Sequence, residues 1–124
     1  MTEQTAQDLI ELARDHLGRV QIAWTAPTDW TDLTLYGFYC LEAAVMAAAK
    51  HLGWSVRRSH TAKVEAAERL SREYGLPEIS DLLSELNSAR KAVAYGDIPL
   101  PRLNAELLAS QVETYVQAIQ ELFE

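Results

Sequence analysis

Asp32-Leu33-Thr34-Leu35-Tyr36-Gly37-Phe38-Tyr39-Cys40-Leu41-Glu42-Ala43-Ala44-Val45-Met46-Ala47-Ala48-Ala49-Lys50-His51-Leu52 is the stretch on which the fold turns. Between Leu33 and Ala49, 17 consecutive residues carry one charge, that of Glu42. A helix without a polar face is buried on all sides. The segment from about Asp32 to Leu52 is therefore predicted as the central helix of a domain. Its Ala43-Ala44 and Ala47-Ala48-Ala49 positions let neighbouring helices approach closely, and Gly53 marks its end. The run is short of the roughly 20 residues that cross a bilayer, so it reads as a core element and not as a membrane span.

The flanking segments have a helical period. Upstream, Ala6, Leu9, Ile10, Ala13, Leu17, Val20 and Trp24 recur at three and four residues and form one apolar stripe. Thr5 with Asp8 is predicted to cap it. Thr25 to Asp29 breaks this helix, and Thr31 or Asp32 is predicted to cap the next. Downstream, a loop from Trp54 to Ser59 carries Arg57 and Arg58. A third helix is predicted from about His60 to Tyr74, with Val64, Ala67, Leu70 and Tyr74 inward, and Gly75-Leu76-Pro77 stops it. A fourth runs from about Glu78 to Tyr95. A fifth starts near Leu103 or Asn104, with Leu107, Leu108, Val112, Tyr115, Ile119 and Leu122 as its stripe. No segment alternates at period two. The expected architecture is an all-α antiparallel bundle of about five helices in one domain, residues 1–124.

Composition narrows the function classes. The chain has 124 residues, 48% of them hydrophobic, and a net charge of −7. It is long enough to bury a core without disulfides, and its single cysteine, Cys40, excludes a disulfide-stapled secreted fold. Met1-Thr2-Glu3-Gln4 has no basic stretch before an apolar one, so no signal peptide is read and a cytoplasmic protein is expected. Eleven basic against 18 acidic residues do not favour unspecific binding to polyanions. Any contact with nucleic acid has to use a local patch.

Residues 50–72 supply such a patch. Lys50, Arg57, Arg58, Lys63, Arg69 and Arg72 face only Glu65 and Glu68 there, so the segment is +4 and the remainder −11. It reads either as an anion or RNA surface or as a solvated helix face with a basic loop. A second anomaly lies on the fourth helix. Ile79, Leu82, Leu83, Leu86, Ala89 and Val93 form its stripe, and Arg90 falls near the middle of it at 100° per residue. An arginine on an apolar face is costly unless paired or facing a cleft. Either Arg90 and Glu42 form a structural ion pair, or each reaches an edge, or Arg90 points into an interface groove and meets an anion there.

Other chemistry finds little support. His16, His51 and His60 have no ligand-like spacing, neither Cys40 nor a glutamate pair joins them, and no metal or cofactor is predicted. Cys40 sits on the most apolar helix and reads as core filling. Tyr36, Phe38, Tyr39 and Trp54 likewise read as core.

The order of features matters at this point. An apolar Tyr/Ala-rich helix ends in Ala49-Lys50-His51-Leu52-Gly53, and a short basic loop leads to Ser59-His60-Thr61. A leucine-rich helix ends in Leu86-Asn87-Ser88-Ala89-Arg90-Lys91-Ala92-Val93-Ala94-Tyr95-Gly96-Asp97, and a final helix follows a proline-containing loop. Over about residues 5–124 this order resembles the HEPN superfamily of small helical domains linked to nucleotide and RNA biology. The likeness is strongest to bacterial stand-alone members whose fourth helix ends in an Arg-x-x-x-x-Tyr-Gly-Asp sequence.

The resemblance implies a homodimer without cofactor, each protomer bringing its motif to a cleft at the interface. Active members of the family use an Arg followed by four to six residues and a His. Arg90 matches the Arg, but Tyr95, Gly96 and Asp97 stand where the His belongs. RNA cleavage without a metal needs a group that moves a proton near pH 7, and an ordinary tyrosine, with a pKa of about 10, is a poor one. The resemblance thus implies first a catalytically degenerate module that binds a protein, a nucleotide or RNA. Arg90, Tyr95 and Asp97 would line its groove, with Glu42 near. A bacterial defence or toxin–antitoxin setting follows by analogy, with an antitoxin- or nucleotidyltransferase-type partner. The alternative is a metal-independent endoribonuclease using Arg90 with Tyr95 or His60, although His60 also suits a capping or packing role.

Overall fold

The computed structural model describes residues 4–94 and 104–124. All the regular structure among them is helical: α1 (Ala6–Ala23), α2 (Trp30–His51), α3 (His60–Tyr74), α4 (Ser80–Ala94) and α5 (Ala105–Leu122). The all-α bundle expected from periodicity is present.

The helix starts follow local polar chemistry. Thr5 and Asp8 form a reciprocal capping box on α1, each side chain accepting from the other's backbone N–H. Asp29, not Thr31 or Asp32, caps α2; its carboxylate accepts from the Asp32 N–H while its own backbone is extended. The helix therefore begins one turn's fraction earlier than predicted, because Asp29 already offers an acceptor at the right spacing. Ser59 caps α3 through the Ala62 N–H, and Asn104 caps α5 through the Leu107 N–H. Gly75 closes α3 in the left-handed conformation at φ 67°, which a residue without Cβ adopts at little cost.

Helix α2 is the axis of the domain. It packs against α1, α3, α4 and α5, while α1 also touches α5 and α3 also touches α4. Leu33, Phe38, Cys40, Leu41, Ala44, Val45, Ala47 and Ala48 are buried along it. Residue size explains the arrangement, since alanines at 44, 47 and 48 leave room for four neighbours at close range. The Cys40 thiol donates to the Ala13 carbonyl oxygen at 3.1 Å, and burial pushes its pKa up to about 12. The reactive species is the thiolate. Iodoacetamide at pH 8 is thus expected to leave the native thiol intact and to modify one thiol per chain in denaturant, as mass spectrometry would show.

Three expectations of burial are corrected. Helix α2 is not enclosed on every side: Tyr39 is 38% exposed, and Glu42, Met46 and Lys50 continue that partly open strip. Tyr74 is 46% exposed and lies at the edge of Trp54, ring centroids 6.0 Å apart, instead of entering the core. Leu107 is 57% exposed. Leu108, Ala109, Val112, Tyr115, Val116 and Ile119 form an inward arc of α5 centred near Val112, and Leu107 lies about 140° from that centre, on the outer side.

Candidate functional site

Arg90 stands where α2, α3 and α4 meet. Its guanidinium carbon lies 4.8 Å from the centroid of the Phe38 ring, and Nη2 donates to Asn87 Oδ1 at 2.9 Å. Phe38 and Asn87 are both buried. The first contact is a cation–π interaction across two helices; the second joins neighbours one turn apart on α4. Together they set the height and tilt of the guanidinium. Its Nε is buried and has no hydrogen-bond partner among the described residues.

Of the alternatives open for Arg90, the ion pair with Glu42 does not form. Glu42 pairs with Lys63 of α3 at 3.2 Å. Lysine at 63 comes one turn after the helix start, which puts its ammonium across from the Glu42 turn of α2. Among the described residues no carboxylate lies within ion-pair distance of Arg90. The positive charge on the apolar face is thus held by an aromatic ring and an amide, both neutral.

His60 joins the same corner. It is the first residue of α3, and its ring centroid is 6.2 Å from that of Phe38. Capping falls to Ser59, so His60 packs and does not cap. Its Nδ1 is buried without a partner among the described residues. The imidazole pKa lies below its ordinary value, chiefly through burial. Glu42 works against this, while Lys91, Arg90 and Lys63 reinforce it. Burial therefore favours the neutral imidazole, beside an arginine whose Nε is unpartnered among the described residues.

The sign of the pH effect follows. His16 is also held below its ordinary value by burial, against the opposing charge of Asp15. The unfolded chain protonates these imidazoles near 6.5, whereas the folded chain resists. Below that value the unfolded state binds more protons, and stability falls. Urea midpoints are expected to be level above pH 7 and to decline toward pH 5, with a shallower decline in His60→Gln.

The remaining candidates are dispersed. Tyr95 and Asp97 lie outside the described residues. Arg57 and Arg58 are exposed on the α2–α3 loop, and Arg58 borders a groove between α1 and α3 rather than the Arg90 corner. The +4 segment is partly spent internally, since Arg69 lies 3.7 Å over the Trp54 ring and bonds Glu73 at 2.7 Å. Sequence reasoning missed Phe38, Asn87 and Lys91 as members of the corner. Asn87 was detectable in principle, being a polar residue one turn before Arg90 on the same face.

Among the described residues there is no group of three or more His, Cys, Asp and Glu side chains placed to hold a metal ion. No helix among them is long and apolar enough to cross a membrane. The arrangement can bind an anion through Arg90, and His60 can accept a proton. Comparison of the chain with protein-family models, with curated proteins and with solved structures finds no match in any of the three.

Proposed function

We propose that this chain is a HEPN-like helical domain that works as a cytoplasmic homodimeric binding module, with a phosphate-type anion of RNA or a nucleotide held at Arg90. The observation that carries the reading is the unpartnered, buried Nε of Arg90. A buried donor left unmade costs about 1–3 kcal/mol, and this one belongs to a guanidinium already aimed by Phe38 and Asn87. A phosphate oxygen would supply the missing acceptor in a charge-assisted bond, and Lys91 and Lys63 add favourable field. The domain as a whole is acidic, so the site selects an anion locally and repels a long polyanion elsewhere.

A labelled single-stranded oligoribonucleotide, titrated at two salt concentrations, tests this. Saturable binding with a shallow salt slope, of the order of one to three phosphates, is the expected result. A steep slope, or no binding by the oligonucleotide or by a nucleotide, counts against it.

One observation favours a second reading, metal-independent ribonuclease action. A neutral imidazole beside a phosphate-binding arginine suits a general base, and His60 has that character. Incubation with RNA in EDTA separates the two readings. Cleavage lost in both Arg90→Ala and His60→Ala would replace the binding module by the enzyme.

A further inference from the structure

The corner that holds Arg90 leaves two buried polar atoms without partners among the described residues, Nε of Arg90 and Nδ1 of His60. Both belong to side chains packed against one ring, that of Phe38. The start of α3 adds donors of its own. Ser59 accepts from the N–H groups of Ala62 and Lys63 through its hydroxyl and its carbonyl, while those of His60 and Thr61 precede the first intrahelical bonds. Helix α3 has 15 residues, and the positive end of its dipole lies at this corner. The charges acting on His60 are those of Glu42, Lys63, Arg90 and Lys91. Glu42 and Lys63 pair with each other. Arg90 and Lys91 pair with no carboxylate among the described residues, so the corner keeps a double positive charge, with Lys91 at its exposed rim.

We infer that the anion at this corner is a phosphate monoester, as carried by a nucleotide or by the phosphorylated end of an RNA strand, and not a phosphodiester inside a strand. The inference rests on the reading of Arg90 as an anion site and narrows its ligand. Charge is the first reason. A monoester carries about −1.5 to −2 at pH 7 and three strong acceptor oxygens, which answers a double positive charge; a diester carries a single negative charge. Hydrogen bonding is the second. In a neutral imidazole Nδ1 is either a donor or an acceptor. A monoester serves both forms, since its dianion accepts from N–H and its monoanion donates P–OH to the bare nitrogen, whereas a diester only accepts. Access is the third. Arg90 Nε has almost no surface of its own, so it is reached by the narrow end of a ligand. A phosphate inside a strand carries a nucleoside on each side and enters such a recess only if both follow it.

The test is calorimetric titration of the full chain with adenosine 5′-monophosphate and with its methyl ester, which differs only in the second ester bond. At pH 7.5 the monophosphate is expected to bind at least tenfold more tightly. That ratio should shrink several-fold at pH 5, below the second phosphate pKa of about 6, where both ligands carry close to one charge. Protonation of His60 acts on both ligands, so the ratio reports the charge of the ligand. Oligoribonucleotides with a 5′-phosphate and a 5′-hydroxyl separate the two sources: the same preference there assigns strand ends, and a preference confined to the mononucleotide assigns a nucleotide. Arg90→Ala should abolish the preference. Lys91→Ala, which truncates an exposed side chain and leaves the fold intact, should lower it several-fold. Arg14→Ala, which removes an exposed positive charge from α1, should not change it. Equal binding of the monophosphate and its ester, both lost in Arg90→Ala, overturns this inference and leaves the proposed function standing. No binding by the monophosphate, the ester or the oligonucleotides overturns both. A preference that Arg90→Ala and Lys91→Ala leave intact also overturns the inference, because the phosphate then sits elsewhere.

Discussion

Arg90→Ala is expected to weaken oligoribonucleotide or nucleotide binding at least tenfold while the helical circular dichroism spectrum stays as it is. A hydrogen bond from a charged donor contributes about 1.5–3 kcal/mol, which is a factor of ten or more in affinity. The folding side is more finely balanced. Removing Arg90 takes away the Phe38 contact, worth roughly 0.5–2 kcal/mol, and leaves the buried Asn87 oxygen without its donor. It also relieves a buried Nε that bonds nothing. These effects oppose one another, so the urea midpoint should move little. Arg90→Gln controls for the orphaned Asn87, since a glutamine amide can still donate to that oxygen. A structural ion pair would behave otherwise, because its loss strands the partner carboxylate, at about 3–5 kcal/mol where the pair is fully buried. The carboxylate in question is Glu42, and Lys63 already holds it. An Arg90→Ala protein that binds the oligonucleotide and the nucleotide as the native chain does would remove the basis for the proposed function.

Much of the bundle was legible in residue spacing, for a physical reason. Ile10, Ala13 and Val20 on α1, and Leu83, Leu86 and Ala89 on α4, are buried where the 3.6-residue period puts them. The capping box at Thr5 and Asp8 was readable because both partners lie within one turn. Errors arose where one helix had more apolar surface than its neighbours cover. Tyr39 and Met46 look like core in a list of apolar residues, yet they lie on the side of α2 that faces the gap between α1 and α3. Periodicity says which residues share a face; it does not say whether a neighbour exists there.

The corner at Arg90 divides in the same way. Its misfit on the apolar stripe was visible from α4 alone, and the choice among an ion pair, an edge and a cleft was not. That choice depends on which residues of α2 and α3 arrive opposite. Lys63 and Glu42 are 21 positions apart in the chain, and Phe38 is 22 from His60, so their encounters depend on the packing of whole helices. Lys91 was similarly hidden, since its influence on His60 needs α3 and α4 side by side.

Leu41→Ala and Leu107→Ala are expected to differ by several kcal/mol, although the sequence reading places both leucines inward. Leu41 is fully buried at the centre of α2, the helix that contacts all four others. Its truncation loses the transfer free energy of the side chain and leaves a cavity that five interlocked helices cannot collapse to fill, about 2–5 kcal/mol in all. Against a total stability of roughly 5–15 kcal/mol for a domain, that is a large share, and Tm should fall by on the order of 10 °C. Leu107 is 57% exposed on α5, and a surface truncation usually stays within about 0.5 kcal/mol. Urea denaturation of the two variants beside the native chain measures both. The slope of the transition should be unchanged, because the surface exposed on unfolding hardly differs. If Leu41→Ala were as mild as Leu107→Ala, α2 would not be the axis of the domain. The corner at Phe38 would then lose the rigid support on which the binding reading depends.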